Sequence, residues 1–255
     1  MKYINFLIIA ILTLTACSLD DVAPPDPELQ LVLIASYSLD LTEPSDLSYD
    51  PVSNTLWTVS DTNNKVYNFD LEGNIIQELP FIGIALEGIA YSFIDNSLWL
   101  AEEEDCQIVN ITQQGAELAR YQIPLETGTN SGLEGICLLP DSTFALVKEK
   151  DPGKFIKLDS LYEVEQELII DFAEDFSAIS YNTEENFYWI VSDQNEALFA
   201  WTPEAGVIAE YSLPFAKPEG VCYVPERQSF FFVSDSQNAL YEMKLGLKGK
   251  NWLLK

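Results

Sequence analysis

The chain reads as an all-β protein: a five-bladed β-propeller of four-stranded blades, closed by its N-terminal strand. Three observations predict this. A unit of about 43 residues recurs five times. Each unit carries four short runs with the two-residue alternation of strands. No segment beyond the first 16 residues keeps a helical period of useful length. Four strands in a unit of this size, repeated side by side, is the signature of a propeller.

The N-terminal segment, residues 1–16, is expected to be a lipoprotein signal peptide. Met1-Lys2 is a short positive region, and Tyr3 to Thr13 is an apolar stretch interrupted by Asn5. That stretch falls short of the ~20 apolar residues of a bilayer-crossing helix and suits a secretory core. Leu14-Thr15-Ala16-Cys17 resembles a bacterial lipobox, which makes Cys17 the acylated residue. Ser18 beside it is a residue commonly sorted to the outer membrane. Asp20-Asp21 resembles the acidic surface-export signals of some bacterial lipoproteins. The expected location is the cell envelope, lipid-anchored at the outer membrane, with the acyl chains as the membrane contact. Residues 17–28 hold Pro24, Pro25 and Pro27 among four acids and form an acidic tether that cannot build a core.

The propeller is expected over residues 29–245. Five segments align without a gap over their first two strands. They begin at Ser45, Glu87, Glu134, Ser177 and Glu219, and their second strands centre on Trp57, Trp99, Leu146, Trp189 and Phe231. The first strand is a Glu-Gly-Ile-x-Tyr type of run. Its third position is always aliphatic (Leu47, Ile89, Ile136, Ile179, Val221), and its fourth is always small (Ser48, Ala90, Cys137, Ser180, Cys222). Strands converging on one axis leave little room, so a small row and a narrow channel are expected. The third strand is exemplified by Lys65 to Phe69 and the fourth by Ile75 to Leu79. The fifth repeat stops near Leu245 after three strands. The segment Leu29 to Leu39 supplies the missing one, and such closure removes exposed sheet edges. Residues 246–255 fall outside the repeat and read as a solvated tail.

Composition excludes several classes of function. With 41 acids against 13 bases the net charge is −28, which repels nucleic acid and phosphate-rich substrates and attracts cations. The chain has no histidine, which removes Ser-His-Asp and Cys-His catalysis and His-ligated zinc. Once Cys17 is acylated, Cys106, Cys137 and Cys222 remain, an odd number, so at least one thiol stays unpaired. Cys137 and Cys222 fall in the innermost strands of non-adjacent blades, too far apart for a disulfide.

First strands begin, and antiparallel second strands end, at the same mouth of the channel. Two sets of side chains should therefore meet there. The inner set is Ser45, Glu87, Glu134, Ser177 and Glu219. The outer set is Asp61, Glu103, Lys150, Asp193 and Asp235, with Glu102 and Glu149 one position earlier. Carboxylates crowded on one axis need a counter-charge. Hard oxygen donors without His or thiolate favour Ca²⁺. Glu87, Glu134, Glu219, Glu103 and Glu149 are the candidate ligands. Asp61, Asp193 and Asp235 also suit the plainer role of turn caps. Blade three replaces the usual Ser-Asp end by Lys148-Glu149-Lys150-Asp151-Pro152. Lys148 and Lys150 either meet an anionic ligand at the mouth or form ion pairs with Glu134 and Glu149.

The Glu134-Gly135-Ile136 run, the Lys148-Glu149-Lys150-Asp151-Pro152 run and the Ser, Glu, Glu, Ser, Glu order of inner residues resemble the SdiA-regulated domain family of bacterial propellers. The resemblance covers residues 29–245. It implies a five-bladed propeller with a calcium site, distant kinship to NHL-repeat propellers and no established enzymatic activity, in proteins that are often of the envelope. The expected function is that of a calcium-binding, non-catalytic binding or scaffold module, monomeric, with a protein or small molecule as partner. The alternative is a calcium-dependent lactonase- or esterase-like hydrolase, which lacks support from an open cavity or a histidine base.

Overall fold

The computed structural model describes residues 29–125 and 132–247. The expected signal peptide, Cys17 and the acidic tether, all within residues 1–28, lie outside the described residues, as does the chain from residue 248. Strand β1 (Leu29–Ser38) comes first. Blade one follows as β2 (Ser48–Asp50), β3 (Thr55–Ser60), β4 (Lys65–Phe69) and β5 (Ile75–Ile82). Blade two is β6 (Leu86–Ser92), β7 (Ser97–Glu102), β8 (Gln107–Thr112) and β9 (Glu117–Gln122). Blade three is β10 (Leu133–Leu138), β11 (Phe144–Lys148), β12 (Lys154–Leu158) and β13 (Val164–Ile169). Blade four is β14 (Ala178–Asn182), β15 (Phe187–Ser192), β16 (Ala197–Thr202) and β17 (Gly206–Ser212). Blade five is β18 (Pro218–Val224), β19 (Ser229–Ser234) and β20 (Ala239–Leu247), completed by β1.

Each blade is an antiparallel four-stranded meander, and the fifth has the order β1-β20-β19-β18. Closure by the N-terminal strand is thus as expected. The tail boundary is corrected: β20 continues past Leu245, with Gly246 opposite Gln30 and Leu247 opposite Leu29.

The second strand of every blade is buried along its whole length, because both of its faces are covered by neighbouring blades. Five apolar clusters result, one per junction between blades. Trp57, Val59 and Leu79 of blade one meet Leu86, Ile89 and Leu100 of blade two, and the pattern continues around the ring to Phe69 of blade one against Phe231 of blade five. The chain thus builds its core as five wedges, each made by two repeats, and no repeat buries its faces alone.

The glycines of the Glu-Gly runs allow the innermost strands to approach this closely. A Cβ on Gly88 would lie 2.4 Å from the carbonyl oxygen of Glu134, and one on Gly135 would lie 2.6 Å from the amide nitrogen of Ile179. Both contacts are to backbone, which cannot yield as a flexible side chain does.

Register corrects the gapless alignment in blade three. Ser48 faces Trp57, Ala90 faces Trp99, Ser180 faces Trp189 and Cys222 faces Phe231. The equivalent Cys137 faces Ala145, not Leu146. The cause is the hairpin turn. In blade three Leu139 N–H donates to Thr143 C=O, and only Pro140-Asp141-Ser142 lie between. In blade two the corresponding pair, Ser92 and Ser97, encloses Phe93 to Asn96. One residue is missing, so every later residue of β11 steps forward by one place.

Candidate metal centre

The step in blade three changes the outer ring of the mouth. The amide of Asp61 donates to Glu43 C=O, that of Glu103 to Ala85 C=O, that of Glu149 to Gly132 C=O and that of Asp235 to Lys217 C=O. Glu149, rather than Lys150, is therefore the equivalent of the other outer acids. Asp61, Glu103, Glu149, Asp193 and Asp235 form a ring of five carboxylates around the inner ring Ser45, Glu87, Glu134, Ser177 and Glu219. All ten line one funnel of about 290 Å³.

One position earlier on the second strands the side chains turn the other way, into protein. Ser60, Glu102, Lys148, Ser192 and Ser234 are all fully buried. Ser60 Oγ donates to Thr42 C=O and Ser234 Oγ to Ala216 C=O, each at 2.6 Å. Glu102 accepts the amide of Ile84 at 3.0 Å and pairs with Arg120. The ammonium of Lys148 reaches the carbonyls of Lys150 and Pro152. The structure thus takes Lys148, read as a possible ligand contact, away from the mouth. Alternation along a strand sends neighbours to opposite sides, and the shorter turn put Lys148 on the inward side. Lys150 stays at the mouth, where it pairs with Glu149.

A third ring lies two residues before the inner one: Glu43, Ala85, Gly132, Asp175 and Lys217. Glu43, Asp175 and Lys217 line the funnel and were not singled out from the sequence, although the constant spacing was there to find. Lys217 pairs with Asp193. Asp175 accepts the Ser192 hydroxyl and the amide of Gln194. Gly132 packs directly on Glu103, where a Cβ would lie 2.2 Å from the Glu103 carbonyl oxygen. Gly132 N–H donates to Glu103 Oε1 at 3.1 Å and so aims that carboxylate.

One carboxylate oxygen from each of Glu103, Glu134 and Glu149 falls within 4.8 Å of the others. Calcium binds oxygen at about 2.3–2.6 Å, so two ligands of one ion lie at most ~5.2 Å apart. The three oxygens are close enough to one another to converge on a single cation. Glu87 and Glu219, the other expected ligands, line the same funnel outside this group of three. The Glu87 carboxyl is hydrogen-bonded to Ser45 and Asp61.

Electrostatics follow from ten funnel carboxylates set against two lysines. Burial, and then Glu87, Glu103, Glu149 and Glu219, push the Glu134 carboxyl well above its ordinary range. Burial with Asp61 and Glu103 does the same to Glu87. Burial, and next Asp193, raises Glu219 to about 8. Like charges in a walled funnel destabilise the ionised state until protons or a cation arrive.

Below the funnel the channel is stopped by Asp46, which occupies the glycine position of the blade-one run and is 1% exposed. Its carboxylate accepts the amides of Leu47 at 2.8 Å and Ile89 at 3.0 Å, and also that of Ile136. It therefore ties together three blades. Beyond it the small row opens rather than narrows. Ser48, Ala90, Cys137, Ser180 and Cys222 line part of a cavity of about 760 Å³ at the opposite mouth. All three cysteines among the described residues are free.

A family model described as SdiA-regulated matches residues 38–171 and 159–252. Among solved structures, virginiamycin B lyase from Staphylococcus aureus is 21% identical. The match covers 82% of this chain and 69% of the lyase, with a TM-score of 0.51. Glutaminyl cyclase from Myxococcus xanthus is 12% identical. That match covers 86% of this chain and 97% of the cyclase, with a TM-score of 0.69. At these identities the likeness is one of fold. No curated protein is close enough in sequence to be matched.

Proposed function

Since the chain belongs to the SdiA-regulated family, we propose that it is a calcium-binding, non-catalytic propeller that serves as a binding or scaffold module at the cell envelope. The observation that carries this reading is the trio Glu103, Glu134 and Glu149, whose oxygens lie close enough to share one cation, and hard oxygen donors without His or thiolate favour calcium. Glu87 and Glu219 add negative potential from the neighbouring inner positions, and the surrounding acids supply the field that draws a cation in. The lipobox at Cys17 and the acidic tether support attachment to the envelope by acyl chains, with the outer membrane as the site.

A hydrolytic reading is not adopted. The funnel offers no histidine, and the two hydroxyls of its inner ring, Ser45 and Ser177, have no imidazole partner anywhere in the chain. A histidine-to-alanine variant of the similarly folded virginiamycin B lyase is described as catalytically inactive.

The test is thermal and denaturant unfolding after chelation, then with graded calcium. If calcium binds only the folded form, it stabilises by about 2.7 kcal/mol at one hundred times its dissociation constant. Glu134→Gln keeps the shape, removes one ligand charge and should lose most of that response. Equal midpoints for chelated and calcium-loaded wild type, with no calcium in the purified protein, would refute the reading.

A further inference from the structure

The mouth opposite the acidic funnel opens into the cavity of about 760 Å³. Small-molecule sites have volumes of this order and are largely apolar, with a few placed polar groups. The floor is the small row Ser48, Ala90, Cys137, Ser180 and Cys222. Its short side chains leave room on the axis. The wall is aromatic. The residue after the small one is tyrosine in four blades, and Tyr49, Tyr91, Tyr181 and Tyr223 all line the cavity. Blade three has Leu138 there.

These rings are held in place by their own blades. The Tyr49 hydroxyl lies 3.0 Å from Asn54 Oδ1, that of Tyr91 2.7 Å from Asn96 Oδ1 and that of Tyr181 3.2 Å from Asn186 Oδ1. Each asparagine ends a hairpin turn with positive φ, at 57°, 57° and 59°, a conformation that asparagine tolerates better than most residues. Tyr49 also reaches across to blade five, where Glu226 Oε2 is 2.9 Å from its hydroxyl. Tyr223 packs on Phe230 with ring centroids 5.1 Å apart. Rings fixed beforehand lose little freedom when a guest enters.

Charge decides what the guest is. Glu184, Glu185 and Glu226 line the cavity, and no lysine or arginine does among the described residues. The three acids are exposed, so they keep their charge at neutral pH while repelling anions. Aromatic faces attract cations as well. We propose that this cavity binds a small amphipathic amine. Its ammonium group lies at the rim, among the tyrosine rings and the three glutamates. Its apolar body extends inward over the small row, against Ile89, Ile136 and Ile179, which line the same space. The site is separate from the funnel and does not rest on the calcium reading.

The test is isothermal titration calorimetry on the full chain at physiological ionic strength, with and without excess calcium. Three probes of similar shape are compared: 1-naphthylmethylamine, 1-naphthylmethanol and 1-naphthoate. The amine should bind at one site, the alcohol about ten-fold more weakly and the carboxylate not measurably. Replacing Glu184, Glu185 and Glu226 together by glutamine should bring the amine down to the affinity of the alcohol and leave the alcohol unchanged. These positions are exposed, so the fold is kept. Tyr181→Leu, at a half-buried position, should weaken the amine more than the alcohol. Absence of amine binding, or equal affinity for amine and alcohol, would overturn the proposal. Amine binding that calcium displaces and the triple glutamine variant leaves unchanged would belong to the funnel, and would overturn it too.

Discussion

Glu134 is the residue on which the acidic mouth turns. It is half-buried in the funnel wall, and it faces carboxylates from its own blade and from two others. Its proton, and those of Glu87 and Glu219, are held more tightly in the folded chain than in the unfolded one. Between the ordinary glutamate value of 4.5 and the folded value of about 8 for Glu219, the folded state binds more protons. Stability without metal therefore falls as pH rises through this window. The melting midpoint of chelated protein should be higher near pH ~5 than near pH ~8, and calcium should flatten the slope. A chelated protein that gains stability toward pH ~8 would show that the glutamates are already neutralised. Asp70, Asp95 and Asp141, lowered by local hydrogen bonds, act with the opposite sign, and their contribution is lost only as pH falls through their own lower values. Asp46 is a different kind of residue: its acceptor oxygens serve amides of three blades. Asp46→Ala leaves buried N–H groups without partners and should cost about 2–4 kcal/mol in urea unfolding. A loss under ~0.5 kcal/mol would mean that water replaces the carboxylate. The glutamates were legible in the sequence because the repeat places them. Asp46 was not, because a single departure from Gly at that position says nothing of the amides facing it across the axis.

At the scale of the strand, the five blades are equivalent in plan and unequal in one turn. Deleting one residue from the hairpin of blade three moves Ala145 into the place that tryptophan holds in blades one, two and four. It also moves Glu149 into the outer acid ring. Sequence comparison without gaps set Leu146 and Lys150 there instead, since Leu matches an aromatic anchor better than Ala does. Hydrogen-bond register overrules that match, because a slip of one residue turns every side chain to the other face. The inner strands make a second prediction. Gly135→Ala would bring a methyl to 2.6 Å from the Ile179 amide nitrogen. It should destabilise by about 1–3 kcal/mol and, by displacing Glu134, weaken the calcium response more than the loss of stability alone explains. Unchanged unfolding of this variant would mean that the blades can spread at no cost.

The whole molecule carries 41 acids and 13 bases and closes through one antiparallel pair, β1 on β20. Charge and closure act on stability separately. At ~0.1 M salt, interactions between exposed charges beyond about 10 Å are screened. Raising sodium chloride should therefore stabilise the metal-free protein by relieving self-repulsion, and should weaken calcium affinity by removing the attractive field. Calorimetric titration and melting at two salt concentrations read these opposite signs, and a calcium affinity indifferent to salt would confine the attraction to the three direct ligands. Removal of residues 29–38 leaves the edge of β20 bare and uncovers the apolar side chains behind it. Loss of a single cooperative transition is expected, accompanied by association in sedimentation. An unchanged transition would show that the ring stands without its closing strand.

What the sequence determined by itself was everything that repetition encodes. The number of blades, the four strands in each, the shared fifth blade and the convergence of Glu87, Glu134 and Glu219 on one mouth all follow from a period and an alternation. Such patterns are local, and the chain writes them five times over. What only the tertiary structure decided lies between repeats. The register of β11 chose Glu149 over Lys150. The close approach of inner strands explained Gly88 and Gly135. The carboxylate of Asp46 found its amides across the axis, and Gly132 let the chain pack directly on Glu103 and donate to its carboxylate. Each of these depends on distances between residues of different blades. Those distances are set by how five wedges fill a ring, and no single repeat contains them.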